Sequence, residues 1–142
     1  MSRLTVNEAG TSGYTDEIVL TPADFTAAAG NTTTKVTFGV NEGDVIYGAA
    51  VEVTEAFSVD TDLTVGTDAD VDGSSADADS LITAQAVETL GVSTNTGADI
   101  VAGAGPLVVA ADGNIEIEAG SALDVATSGK LRVLLGIRRI NA

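Results

Sequence analysis

The chain of 142 residues contains no cysteine, no histidine and no tryptophan. The absence of cysteine excludes disulfides and thiol nucleophiles, and the absence of histidine excludes imidazole acid–base catalysis and histidine-ligated zinc. Aromatic residues make up only 4% of the chain, whereas hydrophobic residues together reach 44%, so the core must consist mainly of Val, Ile, Leu and Ala. These shortages predict that the protein is not an enzyme.

Basic residues are also scarce. Six lysines and arginines stand against 21 aspartates and glutamates, which gives a formal net charge of -15. A nucleic-acid-binding surface needs clustered basic side chains, and an anionic membrane repels an acidic protein, so we expect neither as a partner. No apolar run approaches the roughly 18 residues of a membrane-spanning helix, and residues 1–13 lack the apolar stretch of a signal peptide.

The dominant pattern is an alternation of apolar and polar residues with a period of two, which is typical of strands with one buried and one exposed face. Because parallel strands are usually apolar on both faces, this alternation favours antiparallel pairing. The clearest segments are residues 36–40, 45–57, 63–65, 115–117 and 131–137. Residues 16–20 and 107–110 are predicted to form shorter strands.

The longest of these segments, residues 45–57, contains a break. One face is expected to carry Val45, Tyr47, Ala49, Val51 and Val53. Glu55 interrupts this order, which predicts a β-bulge near Glu55 or a strand that leaves the sheet there.

Helix signals are few. Thr21 and Pro22 are typical of a helix start, and they predict a short helix that runs through Ala29 and stops at Gly30. Residues 80–90 are predicted to form a second short helix. The overall prediction is an all-β protein, an antiparallel β-sandwich or jelly roll of about eight strands with one or two short helical turns.

The length of the chain fits one domain. Residues 15–142 are predicted to form the single β-sandwich domain. Residues 1–14 show little patterning and are predicted to form an extended N-terminal arm, with a frayed terminus as the alternative.

The densest acidic segment has the spacing of a calcium-binding loop. Asp68, Asp70, Asp72 and Asp79 match positions one, three, five and twelve of such a loop, and Gly73 matches the glycine at position six. The usual glutamate at position twelve is missing and a strand precedes the loop, so an EF-hand is not expected. The sequence therefore predicts no cofactor and a solvated turn between strands, with calcium held in an irregular acidic loop as the alternative.

Positive charge is concentrated near the end of the sequence. No basic residue occurs between Lys35 and Lys130, and Arg132, Arg138 and Arg139 follow. These three arginines are candidates for a surface that binds an acidic partner or another copy of the chain. The alternative is that they lie on the exposed face of the last strand and pair with neighbouring acidic side chains.

The order of these segments resembles that of a known family. A Pro-Ala-Asp-Phe turn at residues 22–25 precedes G-D-V-I-x-G-x-x-V-x-V at residues 43–53, A-F-S at 56–58 and L-T-V-G-T at 63–67. Further along the chain are G-x-I-x-I at residues 113–117 and G-K-L-R-V at 129–133. This order resembles the head-decoration or cement proteins of tailed viruses, which are small jelly-roll-like sandwiches.

The resemblance implies a structural virion protein on the capsid exterior that binds the major capsid protein, stabilises the shell and assembles with itself, usually as a homotrimer. It also implies that the terminal arm binds the capsid, here through Ser2, Arg3, Leu4, Thr5 and Val6. The alternative function is a virion fibre base or surface adhesin whose acidic loop holds calcium.

Overall fold

The structure is a computed structural model that describes residues 2–5, 13–27, 34–97, 100 and 106–140. These ranges contain eleven strands, namely β1 (Ser2–Thr5), β2 (Asp16–Leu20), β3 (Thr26–Ala27), β4 (Thr34–Val40), β5 (Val45–Glu55), β6 (Asp62–Thr67), β7 (Asp77–Ala86), β8 (Gly91–Thr94), β9 (Leu107–Val108), β10 (Gly113–Ala119) and β11 (Lys130–Arg138). Helical structure in the described ranges is limited to the 3-10 turns Pro22–Asp24 and Leu123–Val125 and one short helix, α1 (Ala69–Asp72).

The strands form two antiparallel sheets that pack against each other as a sandwich. The larger sheet has the order β1-β2-β11-β5-β8, with β9 also paired to β5, and the smaller sheet has the order β3-β4-β10-β6-β7. Their inward-facing side chains form one apolar core that draws on both sheets. The predicted all-β antiparallel sandwich is therefore confirmed.

Eight of the strands follow the jelly-roll pattern, in which a strip of antiparallel strand pairs wraps into two sheets. When β1, β3 and β9 are left aside, the first strand pairs with the eighth, the second with the seventh, the third with the sixth and the fourth with the fifth. These pairs are β2·β11, β4·β10, β5·β8 and β6·β7. The three short strands extend this eight-stranded frame.

The period-two alternation has the predicted effect in β10 and β11. Ile115 and Ile117 are fully buried between the partly exposed Glu116 and Glu118. In β11 the alternating apolar residues predicted to share a face all lie in the core: Leu131, Val133, Leu135 and Ile137. Burial of one face of each strand fixes its register, because a slip by one residue would turn the apolar face to solvent.

Two register shifts in β5 explain where alternation succeeds and where it fails. Lys130 pairs with Glu55 and Leu131 pairs with Val53, which confirms the bulge predicted near Glu55. A second shift places Gly136 opposite Gly48 and Ile137 opposite Ile46. The residue that this shift leaves unpaired is Tyr47, so the face of the strand changes there. The prediction that Val45 and Tyr47 share the buried face is therefore wrong, since Ile46 is buried and Tyr47 is 43% exposed.

The predicted helix start at Thr21 and Pro22 is confirmed, but the predicted length is wrong. A 3-10 turn, Pro22–Asp24, forms there, in which the Asp24 carboxylate accepts a hydrogen bond from the Thr21 amide at 2.9 Å. The chain then becomes extended, because the Phe25 ring enters the core and packs edge-on against Phe57 at 6.3 Å between ring centroids. Residues 28–30 of this predicted helix lie outside the described residues. The second predicted helix, residues 80–90, contains most of β7 instead. The β7–β6 register is irregular, which removes the alternation that would have identified a strand.

Side-chain hydrogen bonds join the two sheets along β7 and β8. Thr83 donates its amide to Thr96 Oγ1 at 3.0 Å and its hydroxyl to the Thr96 carbonyl at 2.7 Å. The Ser93 hydroxyl donates to Gln85 Oε1 at 2.7 Å. This side of the sandwich is thereby closed, whereas β1 and β3 are the terminal strands of their sheets on the other side.

Candidate functional site

The N-terminal segment predicted to bind a capsid forms part of the larger sheet. Ser2, Arg3, Leu4 and Thr5 make up β1, which pairs antiparallel with β2, and Val6 lies outside the described residues. Residues 2–5 are thus extended and paired with β2 of the sandwich. Because β1 is the terminal strand in the order of the sheet, one side of its backbone has no strand neighbour among the described residues.

Two of the three arginines proposed for partner binding form ion pairs within the chain. Arg139 Nη2 lies 2.8 Å from Asp16 Oδ2, and the Asp16 side chain is only 4% exposed. Arg132 Nη2 lies 3.3 Å from Glu52 Oε2, and its Nη1 lies 3.8 Å from Glu17 Oε1. For these arginines the structure thus shows the alternative that the sequence left open, which is pairing with neighbouring acids.

The third arginine, Arg138, is exposed and makes no ion pair within the described ranges. Lys130, at the other end of β11, is exposed in the same way. Arg138 is therefore the member of the predicted arginine set that remains available for a partner.

The Arg132 ion pairs line a shallow open depression of about 360 Å³ on the outer face of the larger sheet. One row of paired residues crosses this face, from Val92 on β8 through Glu52 and Arg132 to Val19 on β2. Arg132 Nε is buried and has no hydrogen-bond partner. Glu17 is buried in the next row, so its carboxylate depends on Arg132 for compensation of its charge.

On the outer face of the smaller sheet, the Lys35 ammonium group pairs with the Glu116 carboxylate. This hydrogen-bonded contact with Glu116 raises the pKa of Lys35, with the charge of Glu118 acting in the same direction. The protonated lysine therefore stabilises the folded state. This stabilisation is lost as the pH rises above the ordinary pKa of a lysine towards the raised pKa of Lys35.

The calcium loop predicted from spacing is not assembled. Asp68 instead caps α1 and accepts hydrogen bonds from the Val71 amide at 3.0 Å and the Asn114 amide at 2.8 Å. Burial acts to raise the pKa of Asp68, but these hydrogen bonds outweigh it and hold the pKa below its ordinary value. The carboxylate thus acts as a structural cap that joins α1 to β10.

The other predicted calcium ligands do not converge with Asp68. Asp72 accepts a hydrogen bond from the Ser74 hydroxyl at 2.7 Å, and Asp70 and Asp79 are exposed. No group of three or more acidic side chains in the described residues is arranged to hold a metal ion. The chain turns at α1, and this turn separates the carboxylates that the spacing alone appeared to align.

Exposed large apolar side chains occur at both ends of the sandwich and were not identified from the sequence. Tyr47, Val108 and Ile140 lie at the end where β5 begins, and their exposures are 43%, 58% and 58%. Leu90, Val92 and Val125 lie towards the other end. The alternation of apolar residues carries no signal for this exposure: Val108 follows the glycine-rich segment 103–106, and Ile140 follows Arg138 and Arg139.

Within the described ranges no helix is long and apolar enough to cross a membrane. Comparison with models of protein families, with curated protein sequences and with solved structures finds no match. The fold therefore defines the class of protein: it is an acidic jelly-roll sandwich. Large apolar side chains are exposed towards both of its ends.

Proposed function

We propose that this chain is a structural virion protein that binds the outside of a viral capsid and stabilises the shell, in the manner of the decoration proteins that its sequence resembles. The observation that carries the proposal is the jelly-roll frame, a fold used by viral capsid components as well as by lectins and cupins. Because a fold alone does not define a function, the surface chemistry must support the same conclusion.

The surface chemistry favours binding over catalysis. The chain has no cysteine or histidine, and Lys35, Arg132 and Arg139 are held in ion pairs with neighbouring acids. Asp68, an acid whose pKa is lowered, is occupied by capping hydrogen bonds. We therefore propose no catalytic role and no bound cofactor.

The proposed partners are the major capsid protein and further copies of the chain, in the homotrimer that the resemblance implies. The terminal position of β1 supports this proposal, because an edge strand offers backbone groups to which an extended segment of a partner can add. Repetition over a capsid lattice would multiply modest individual contacts. The alternative of a calcium-dependent fibre base or adhesin is not favoured, since the described carboxylates do not form the loop that it requires.

The test is to add the purified chain to capsids of the virus that encodes it, prepared without the protein, and to measure co-sedimentation and image the particles. We expect saturable binding and added density on the outer surface. Deletion of residues 1–10 should reduce binding while the β-sheet circular dichroism spectrum persists, and Lys130→Ala provides a folded control. Absence of binding by the intact chain, or density inside the shell, would refute the proposal.

A further inference from the structure

The end of the sandwich where β5 begins carries a mixed surface that we call the end surface, formed by Glu42, Tyr47, Val108, Arg138 and Ile140. All five side chains are exposed. Arg138, Val45 and Val108 are successive partners across β11, β5 and β9. Because directly opposed residues project from the same face of a sheet, Arg138 and Val108 share a face with Val45 between them.

Tyr47 and Ile140 extend the apolar part of this surface. Tyr47 lies two residues beyond Val45, and its ring covers Gly136 on β11. Ile140 lies beside the turn before β5, since its Cγ1 atom is 4.0 Å from the position that a Cβ atom on Gly43 would occupy. The apolar centre is therefore contiguous with the end of the larger sheet.

The charged residues of the end surface flank this centre on opposite sides. Arg138 lies on the β11 side, and neither it nor Glu42 forms an ion pair within the described ranges. Glu42 lies on the β9 side, because its amide donates to Asp112 Oδ1 at 2.8 Å and the next amide, of Gly43, donates to the Val109 carbonyl. Among the described residues, one chain thus presents an unpaired cation and an unpaired anion across an apolar patch.

We propose that the end surface binds the end surface of a second copy of this chain around a two-fold axis. In a two-fold contact, if one residue of the first copy meets a second residue of the other copy, the same two residues also meet in the reverse direction. A surface with a cation on one side of the axis and an anion on the other is therefore complementary to itself. Arg138 of each copy faces Glu42 of the other, and the apolar side chains of Tyr47, Val108 and Ile140 form the centre. This contact does not depend on capsid binding.

The other end of the sandwich does not present the same combination. Its exposed cation, Lys130, is the direct cross-strand partner of Glu55, so an opposite charge already faces it within the chain. Arg138, by contrast, is opposite the apolar Val45. In the part of the chain that the structure describes, the unmatched cation is therefore at the end surface, and a second copy supplies its match.

The experiment is sedimentation equilibrium of the full chain at about 0.15 M salt, where charges beyond about 8 Å are screened. We expect reversible association that Val108→Asp, Arg138→Glu and Glu42→Arg each weaken by at least about tenfold. The double variant Arg138→Glu/Glu42→Arg should restore association, because it exchanges the two charges without removing the pair. Val125→Asp and Lys130→Glu are the matched controls at the other end, and all variants are checked for the parent circular dichroism spectrum.

Species of two copies, or of six if trimers pair through this contact, support the proposal when the variants dissociate them and the controls do not. A monomer at every concentration up to about 1 mM overturns it. A trimer that the variants leave intact also overturns it, as does equal weakening by the controls. If the variants leave self-association unchanged but reduce binding to capsids, the end surface contacts the shell and the proposal fails while the proposed function stands.

Discussion

The ring of Tyr47 lies over Gly136 on the neighbouring strand, so closely that a Cβ atom at position 136 would be 2.5 Å from Tyr47 Cε2. At the other end of β11, Phe57 covers Gly129 in the same manner, because a Cβ atom at position 129 would be 2.3 Å from Phe57 Cγ. An aromatic ring over a glycine replaces the packing that the glycine itself cannot provide. The two contacts differ in burial, because Phe57 is in the core and Tyr47 is partly exposed.

This difference in burial predicts different costs for the same substitution. Gly129→Ala should destabilise the protein by about 3 kcal/mol, since Phe57 cannot move and residue 129 has a φ of 137° that side chains rarely adopt. Gly136→Ala should cost about 1 kcal/mol, because Tyr47 can turn towards solvent. Urea unfolding measures both, with Gly39→Ala as the control, since nothing lies within 4 Å of its added Cβ. Equal costs at the two positions would contradict the prediction.

The capping role of Asp68 gives a second prediction. Asp68→Ala removes the acceptor for the Val71 and Asn114 amides, and the expected loss of stability is about 1–2 kcal/mol. Asp70→Ala removes a neighbouring carboxylate that is exposed, and it should change stability by less than about 0.5 kcal/mol. Thermal unfolding of both variants provides the comparison. An Asp70 variant as unstable as the Asp68 variant would show that net charge, not capping, is responsible.

The lowered pKa of Asp68 predicts how its contribution depends on pH. A carboxyl group with a lower pKa in the folded state stabilises fully above its unfolded pKa of about 3.9, and this stabilisation is lost as the pH falls towards the folded value. The stability difference between the parent and Asp68→Asn should therefore shrink from pH 6 to pH 3. Denaturant titrations at several pH values measure it. A difference that stays constant over this range would contradict the prediction.

The ion pairs of Arg132 should be costly to break from one side. Arg132→Leu leaves the buried Glu17 without its cation, and we expect a loss of about 1–2 kcal/mol, reduced from a fully buried case because Arg132 is partly exposed. Arg132→Leu/Glu17→Leu should recover most of the loss, since apolar side chains replace buried pairs at little cost. Lys130→Leu is the control, because Lys130 and its cross-strand neighbour Glu55 are both exposed, so no buried charge is left without its partner. A double variant less stable than the single one would refute the interpretation.

The acidic turn should not respond to calcium. Asp68 is committed to α1 and β10, and the described carboxylates do not converge. Calorimetric titration with calcium chloride is expected to give no saturable heat, and the melting temperature should be the same in calcium and in a chelator. A saturable signal that Asp72→Ala abolishes would restore the loop predicted from the spacing.

The sequence predicted most of the sandwich because one-sided burial leaves a readable period. Ile115 and Ile117 on β10 and the apolar residues of β11 are buried as their alternation indicated. Alternation fails where the register shifts. Tyr47 occupies a bulge. One unpaired residue exchanges the buried and exposed faces of the strand residues that precede it, so Ile46 enters the core and Tyr47 does not.

The surface was less predictable, because its contacts join residues that are distant in the chain. The pair between Arg139 and Asp16 spans 123 residues, and the hydrogen bond from Asn114 to Asp68 spans 46. Local spacing carries no information about such partners. The sequence therefore indicated which residues were charged, and only the structure showed that Arg132 and Arg139 are paired while Arg138 has no ion pair with any described residue.

The position of β11 has a consequence for how the chain acquires its fold. This strand is the last of the described strands, yet it lies between β2 and β5 near the middle of the larger sheet. During synthesis, every earlier strand emerges from the ribosome before the one that must join them. Until residue 138 is available, the inner edges of β2 and β5 cannot be bridged, so the sandwich can be completed only after translation has passed this point.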